Sequence, residues 1–306
     1  MQRAFINCIY DLAEKNPNVV FLTADNGTDF DSFFARAFPD QYYNLGIAEE
    51  NMVAVAAGMA MCGKIPFICS AGAFLAYRAF EFIRNDLCFQ QQNVKIVALG
   101  SGLSISALGP THHTTEDISA LKAIPGLQVL SLASPLEVEA AMKYAMIQKG
   151  PVYLRLGMNA TKEYHQEKDE INLEGITVLR QGKDAVLFAT GDVVAEALSA
   201  GEMLFEKGID LEVDELICLK PLKKEDIIQK CRDKKFVFSV EEHNVLGGLG
   251  ESLASVLNEA GISVIVHKIG LNDDFAQGFG SQRELWEHNG LDAAHICRRI
   301  LKEIQA

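Results

Sequence analysis

Short runs of valine, isoleucine and leucine alternate with segments of helical periodicity along the first half of the chain. The apolar runs predict strands at 19–25, 66–71, 94–100, 127–133 and 151–156, and the periodic segments predict helices at 3–15, 49–62, 74–92, 115–123 and 135–148. Uninterrupted apolar strands that alternate with helices are typical of a parallel sheet covered on both faces. We therefore predict that residues 1–160 form an α/β domain.

The pattern weakens after this domain and then starts again. Residues 161–182 are mostly polar and charged, with one short predicted strand at 176–180, and this composition is typical of a linker. Beyond the linker, strands are predicted at 184–190, 211–217, 236–242 and 264–270, and helices at 192–207, 223–232, 247–260 and 291–304. Residues 183–306 are thus predicted to form a second, smaller domain. The predicted fold class is α/β, with two parallel-sheet, three-layer domains.

Charge and composition narrow the classes of function. The chain has 28 lysines and arginines against 41 acidic residues, a net charge of −13, which argues against a general nucleic-acid or anionic-membrane binder. No stretch approaches ~20 uninterrupted apolar residues, and the N-terminus lacks the apolar core of a signal peptide. The seven cysteines are scattered and form no CxxC pair, as is typical of reduced, buried thiols. We expect a cytoplasmic protein with no nucleic-acid or membrane partner.

The first segment that could carry chemistry is NLGIAEENMVAVAAGMAMCG, residues 44–63. Glu49 and Glu50 open a helix that is rich in alanine and glycine. An acid in a first turn is accounted for by the helix dipole alone. The helix dipole does not explain the alanine and glycine residues of this helix. Their small side chains would let another backbone or a second subunit approach closely.

Aromatic residues recur in the second segment, residues 70–86. Phe74, Tyr77 and Phe80 stand at i, i+3 and i+6 and would share one face of an α-helix. Such a stripe belongs either to the hydrophobic core or to a surface on which a flat heteroaromatic ring stacks.

The third segment is a Gly/Ser-rich loop, residues 101–119, that follows a predicted strand. Gly109 and Pro110 turn the chain, and His112 and His113 precede a helix. The carboxyl end of a parallel strand is where open α/β sheets bind ligands. Adjacent histidines do not share a helix face, so the pair is a poor metal site, and we predict no metal ligand in this chain.

Glycine motifs for phosphate binding are missing or incomplete. The chain has neither GxGxxG at a strand–helix junction nor GxxxxGK[ST], and the glycines of 247–250 have the wrong spacing for a dinucleotide. Gly191 and Asp192 follow a predicted strand, but no asparagine follows at the expected distance. A loop that binds a metal and a diphosphate is therefore not expected here.

Taken in this order, the segments resemble the C-terminal half of transketolases over essentially the whole chain. GIAEENM resembles the family's G-[IV]-x-E, the aromatic segment resembles F-x-x-[FY]-x-x-[YF], and GPTHH resembles G-P-T-H-Q. VEEHNVLGGLGESLA resembles the C-terminal domain of a wider group, which includes deoxyxylulose-phosphate synthase and the 2-oxoacid dehydrogenase beta subunits. The resemblance implies a pyrimidine-binding domain followed by a transketolase C-terminal domain.

The resemblance also implies thiamine diphosphate as the cofactor and gives roles to particular residues. Glu49, rather than Glu50, would bond a nitrogen of the aminopyrimidine ring and favour the imino tautomer that generates the nucleophilic ylid. His112 would lie over the reacting carbon. The other residues that match cofactor-binding positions of the family are Asp25, Phe74, Tyr77 and Phe80.

Family members bind the diphosphate and a divalent metal through a GDG…N motif in an N-terminal domain that these 306 residues do not contain. This resembles a split transketolase, in which a separate subunit holds the diphosphate and Mg²⁺ or another divalent cation. We expect the chain to work only with that partner, in an α2β2-type assembly that transfers a two-carbon ketol unit between sugars or sugar phosphates.

Two positions depart from the family pattern and bear on the substrate. The acid that reads donor hydroxyls is Leu108 here, and the arginine that grips an acceptor phosphate falls at Gly157, with Arg155 two residues earlier. A bidentate guanidinium–phosphate contact is not easily replaced. The donor or acceptor is therefore expected to differ from the pentose-phosphate sugars, for example as an unusual or nucleotide-linked sugar.

Three alternatives stay open from the sequence alone. One is a deoxyxylulose-phosphate-synthase-like or 2-oxoacid dehydrogenase beta-like subunit, although the proline of GPTHH favours transketolase. Another is a non-catalytic scaffolding subunit, in which Glu49 is only a helix-terminus acid. The third is a regulatory protein that binds a small molecule.

Overall fold

The computed structural model describes residues 1–25, 29–158, 162–166 and 170–305. The predicted domain boundary at residues 160 and 161 lies outside these ranges, so the limits 1–160, 161–182 and 183–306 remain a prediction. The elements of the first half are α1 (Gln2–Lys15), β1 (Val19–Thr23), α2 (Asp29–Ala37), β2 (Tyr42–Asn44), α3 (Glu49–Met61), β3 (Ile65–Ala71), α4 (Phe80–Phe82), β4 (Lys95–Leu99), α5 (Asp117–Lys122), β5 (Gln128–Leu132), α6 (Pro135–Ile147) and β6 (Val152–Leu156).

The second half continues the alternation of strands and helices. Its elements are β7 (Ile176–Arg180), β8 (Ala185–Thr190), α7 (Val194–Phe205), β9 (Leu211–Leu216), β10 (Cys218–Lys220), α8 (Lys224–Cys231), β11 (Val237–Asn244), α9 (Leu249–Glu259), β12 (Val266–Leu271), α10 (Gln282–Asn289) and α11 (Ala293–Gln305). The predicted α/β fold class is confirmed. The predicted apolar strands form, with shifts of one or two residues at their ends.

Both sheets are mainly, but not wholly, parallel. The first has seven strands in the order β10-β5-β6-β4-β3-β1-β2, and the second has five in the order β12-β11-β8-β9-β7. β10 pairs antiparallel with β5, and β7 pairs antiparallel with β9. The predicted parallel sheets are therefore confirmed, with one antiparallel strand added at an edge of each sheet. An edge strand has a neighbour on one side only, so its direction is set by where the chain arrives rather than by a crossover helix.

The helix predicted over 74–92 is not one continuous α-helix. The residues Phe74–Arg78 and Ile83–Phe89 form π-helical turns on either side of α4. The wider π turn changes the angular spacing of side chains, so i and i+3 no longer superpose as in an α-helix. Tyr77 is 41% exposed, whereas Phe80 packs against the hydrophobic core.

Four short elements are absent from the predicted pattern. These are α2, β2, β10 and α10. β2 has three residues and is largely exposed, so it shows no apolar run. α10 is mostly polar and is fixed locally by a capping box, in which Ser281 and Glu284 satisfy each other's backbone N–H groups.

The two domains share apolar contacts. One cluster of buried side chains contains Leu22 and Ile68 of the first sheet together with Phe188 of β8 and Leu253 of α9. All seven cysteines are free thiols, and five of them are buried. Within the described ranges, no helix has the length and apolar character needed to cross a bilayer.

A buried arginine joins the domains through polar contacts. Arg155 on β6 is 3% exposed, and its Nε lies 3.0 Å from Oδ2 of Asp117. Its Nη2 donates to the carbonyl oxygens of Thr114, at 3.0 Å, and of Glu242 on β11, at 3.1 Å. Arg155 therefore links the loop of residues 101–119, here called the histidine loop, and the first sheet to the second sheet. Its guanidinium faces the protein interior.

Gly157 lies where the second domain meets the end of β6. A Cβ built at this position would overlap the carboxylate of Asp192, which is itself held by the side-chain amide of Gln282 at 3.1 Å. No side chain fits at position 157 while the domains are packed in this way. Close packing against Asp192 therefore explains the glycine at this position, and the sequence alone did not reveal this contact.

We expect Gly157→Ala to destabilise the chain by about 1–3 kcal/mol, because overpacking of a close contact forces its neighbours to shift. Urea unfolding of the purified chain measures the difference. Gly58→Ala is the matched control, since a Cβ on that helical glycine meets nothing within 4 Å. An unchanged stability of Gly157→Ala would contradict this view of the domain contact.

Candidate active site

The site is built around Glu49, the first residue of α3. Its side chain is 1% exposed, although it follows a strand at the edge of the sheet. Ser70 of β3 donates to Oε1 at 3.1 Å, and Nη1 of Arg78 lies 2.5 Å from Oε2. A helix-terminus acid that only complements the dipole can remain in solvent, so the burial of this carboxylate needs a further reason.

Arg78 connects Glu49 to the aromatic segment. Its guanidinium carbon lies 4.7 Å from the centroid of the Phe74 ring, a cation–π contact. The Phe74 ring in turn meets His112 edge-on, with centroids 5.0 Å apart and an interplanar angle of 66°. Four side chains from three segments, Glu49, Arg78, Phe74 and His112, therefore form one continuous layer.

The structure distinguishes the two adjacent histidines. His112 is half-buried and lies in the layer, with Nδ1 3.0 Å from the hydroxyl of Thr111. His113 points inward and is 3% exposed, and burial lowers its pKa. His112 is thus the member of the pair that can meet a ligand, while His113 is a core residue that favours the neutral form.

Tyr77 precedes Arg78 in the chain, and its side chain contacts Glu116 at the start of α5. Its hydroxyl donates to Oε2 of Glu116 at 2.6 Å and accepts from the Glu116 backbone N–H at 3.0 Å. Burial, followed by the neighbouring carboxylates of Asp117 and Glu116, raises the pKa of Tyr77. The hydroxyl therefore stays protonated and fixes the ring.

A cavity of about 650 Å³ opens beside this tyrosine, between the two domains. It is lined by Tyr77, Pro110, Thr111, Glu116, Asn244, Asp273, Asp274 and Phe275. The histidine loop thus forms one wall, and the loop after β12 forms the opposite one. Ligand sites of α/β proteins commonly occupy such a position at a domain junction.

The remaining predicted site residues lie less close to this layer. Asp25 follows β1 with a φ of 54° and is exposed, and its backbone N–H donates to Oδ1 of Asn44 at 3.1 Å. Phe80 packs on the core. Leu108 is exposed in the loop that carries His112. The roles of Asp25 and Phe80 in cofactor binding remain predictions.

Sequence reasoning missed Arg78 and Glu116 as site residues. Arg78 stands inside the aromatic segment, directly after Tyr77, and that position is its main signal in the sequence. Glu116 shows in the sequence only as a first-turn acid of the following helix. Their partners, Glu49 and Tyr77, come from segments 29 and 39 residues away, so the pairing is visible only in three dimensions.

The residues of the layer suit the aminopyrimidine half of thiamine diphosphate. The layer combines a buried carboxylate with a half-buried aromatic ring, the two kinds of group that recognise a flat nitrogen heterocycle. Because Arg78 occupies Oε2, a ring nitrogen reaches this oxygen only if the guanidinium shares it or moves. Among the described residues, the group of three or more potential metal-ligating side chains lies outside this layer.

Two family models match successive parts of the chain. The model described as "Transketolase, pyrimidine binding domain" matches residues 1–162, and "Transketolase, C-terminal domain" matches residues 175–296. The chain is thus a pyrimidine-binding domain followed by a C-terminal domain of the thiamine-diphosphate enzymes. Within that class it belongs to the transketolase family.

Its relatives include proteins of the same extent. The chain is 37% identical to a "Putative transketolase C-terminal section" of Methanocaldococcus jannaschii, with 100% of this chain and 96% of the relative covered. It is 36% identical to one subunit of an "Apulose-4-phosphate transketolase" of Actinobacillus succinogenes, over 86% of this chain and 85% of the relative. A solved structure described as "Split gene transketolase, inactive beta4 tetramer" has 36% identity and a TM-score of 0.88, covering 99% of this chain and 97% of that one.

Proposed function

We propose that the chain is the pyrimidine-binding subunit of a two-subunit, thiamine-diphosphate-dependent transketolase that transfers a two-carbon ketol unit between sugars. The observation that carries the proposal is the layer of Glu49, Arg78, Phe74 and His112 at the carboxyl edge of the first sheet. It joins the two residues with predicted catalytic roles by a 2.5 Å ion pair, a 4.7 Å cation–π contact and a 5.0 Å ring contact.

Three residues of the layer have a direct task in this proposal. Glu49 binds the aminopyrimidine and shares a proton with a ring nitrogen, Phe74 packs on the ring, and His112 binds oxygens of the reacting sugar. When bound, the cofactor supplies the carbanion equivalent that attacks a ketose carbonyl. Tyr77 is held by Glu116 and lines the pocket beside the ring, and Asp25 and Phe80 complete the cofactor contacts.

A partner subunit supplies the rest of the site. We propose that it carries the diphosphate-binding domain and holds Mg²⁺ or a similar cation, and that two copies of each chain assemble as an α2β2 heterotetramer in the cytoplasm. The relatives named as a C-terminal section and as one subunit of a transketolase support this division of labour.

The substrate is proposed to differ from the pentose-phosphate sugars. Arg155 is buried against Asp117 and Gly157 is closed by Asp192, so neither supplies an exposed guanidinium for an acceptor phosphate. Leu108 offers no hydrogen bond to donor hydroxyls. The relative from Actinobacillus succinogenes is named for apulose 4-phosphate, and this name favours an unusual sugar as the substrate here.

Reconstitution tests the proposal directly. We expect the chain to co-purify with a partner that contains a GDG motif, and the pair to transfer ketol units when thiamine diphosphate and Mg²⁺ are added, while each chain alone is inactive. A screen of ketose donors, followed by product analysis, identifies the substrate. Formation of a complex without any ketol transfer would favour a scaffold, and pyruvate as the donor would favour a deoxyxylulose-phosphate-synthase-like or 2-oxoacid dehydrogenase-like enzyme.

A further inference from the structure

A second cluster of titratable groups lies away from the layer, where three parts of the chain meet. Glu137 belongs to the first turn of α6, His165 follows the first domain, and Glu215 lies on β9 of the second sheet. Nε2 of His165 is 3.2 Å from Oε1 of Glu137 and 3.7 Å from Oε2 of Glu215. One ligating atom from each residue lies within 4.8 Å of the other two.

The three side chains are buried, at 0%, 7% and 0% exposure in the same order. Glu137 has a structural task, because its Oε2 accepts the N–H of Ala133 at 2.8 Å at the start of α6. This bond leaves its Oε1 directed at His165. Only Oε2 of Glu137 is therefore used to cap the helix.

Glu215, unlike Glu137, accepts no backbone N–H in the described part of the chain. Neither of its carboxylate oxygens has a hydrogen-bond partner in the described part of the chain, and both are buried. A buried carboxylate without donors is costly, and such groups are usually paired or coordinate a metal. Glu215 faces the two other potential ligands, so the unsatisfied oxygens point at a common centre.

In contrast to the prediction from the sequence that the chain holds no metal ligand, we propose that Glu137, His165 and Glu215 bind one divalent transition-metal ion, with Zn²⁺ as the best match. One imidazole nitrogen and two carboxylates, with a water at the open position, are a ligand set that Zn²⁺ accepts in tetrahedral geometry. Mg²⁺ and Ca²⁺ prefer oxygen ligands throughout and are disfavoured by the histidine. The ion would hold three parts of the chain together: α6, β9 and the segment that contains His165. It would be distinct from any cation bound to the diphosphate.

The test uses the full-length chain after treatment with a chelator. Isothermal titration with ZnCl₂ gives the stoichiometry and the affinity. We expect one site per chain, a raised Tm with Zn²⁺, no such site for Mg²⁺, and a d–d absorption band when Co²⁺ is added. Glu215→Gln and His165→Gln are each expected to weaken Zn²⁺ binding by on the order of 100-fold.

His267→Gln is the matched control, because it removes the histidine of a different His–Glu pair, in which Nδ1 lies 3.3 Å from Glu303. It should leave the affinity unchanged. If His165→Gln does not fold, Glu137→Gln provides the second ligand variant, since its side-chain oxygen can still accept from Ala133. Zn²⁺ binding that persists undiminished in the ligand variants, for example at thiols, overturns the proposal, as does the absence of a site in the wild type. Neither result depends on ketol transfer.

Discussion

Glu49→Gln is expected to lower the turnover of the assembled enzyme by at least about 100-fold, the scale on which positioned proton-sharing groups contribute to catalysis. Glutamine can accept from Ser70 or Arg78 as glutamate does, but it cannot share a proton with the aminopyrimidine. The change therefore removes the proton-sharing carboxyl but keeps the side-chain length and one of its two accepted hydrogen bonds. The measurement is kcat of the reconstituted complex at saturating cofactor, with Tm of the variant chain as the check on folding.

Glu50→Gln is the control for this experiment. Glu50 is the next residue of α3 and stands in the same first turn, but no described hydrogen bond links it to the layer. Its substitution should leave kcat within about threefold of the wild type, as expected for a residue outside hydrogen-bond reach of the reaction. If Glu49→Gln were equally active, the carboxylate would be a helix-terminus acid and the scaffolding alternative would be favoured.

Arg155→Met should produce the largest loss of stability of any substitution considered for this chain, about 3–5 kcal/mol. The guanidinium is buried and contacts both oxygens of Asp117, at 3.2 and 3.0 Å, and two backbone carbonyls. Its removal leaves a buried carboxylate with only the hydroxyl of Tyr153 to donate to it, among the described residues. Urea unfolding, extrapolated to water, gives the free energy of unfolding of each variant.

Two further variants show whether the unpaired charge is the cause. Arg155→Met combined with Asp117→Asn should recover part of the loss, because the double variant has no uncompensated buried ion. Arg283→Met is the exposed control: Arg283 is 82% exposed and pairs with Glu287 on the same helix, so its loss should cost under about 1 kcal/mol. A similar cost for Arg155→Met and Arg283→Met would contradict the interdomain role of Arg155.

The sequence predicted most of the architecture because apolar runs report burial directly. β1 and β8 are entirely buried, and each appears as an apolar run that ends in a single threonine. β10 and β7 are edge strands with antiparallel neighbours, and nothing in their three or five residues encodes the direction of the neighbour. The π turns around α4 were missed for a similar reason, since one added backbone residue per turn leaves the apolar composition unchanged.

The residues of the candidate site were likewise only partly predictable from the sequence. Glu49 and His112 could be singled out by their motifs, and the structure brings them into one layer. The partners that connect or hold the layer, Arg78 and Glu116, carry no motif. The structure also gives Gly157 a packing role, because Asp192 arrives from the other domain.

The sequence by itself determined the fold class, the order of the two domains and which carboxylate and histidine to test, because hydrophobic periodicity and short motifs are local properties of the chain. The tertiary structure alone decided which oxygen of Glu49 meets Arg78, why Arg155 is turned inward, and that Glu137, His165 and Glu215 converge. Each of these contacts joins residues that are distant in the chain, and their energies depend on burial and distance, which no local pattern records.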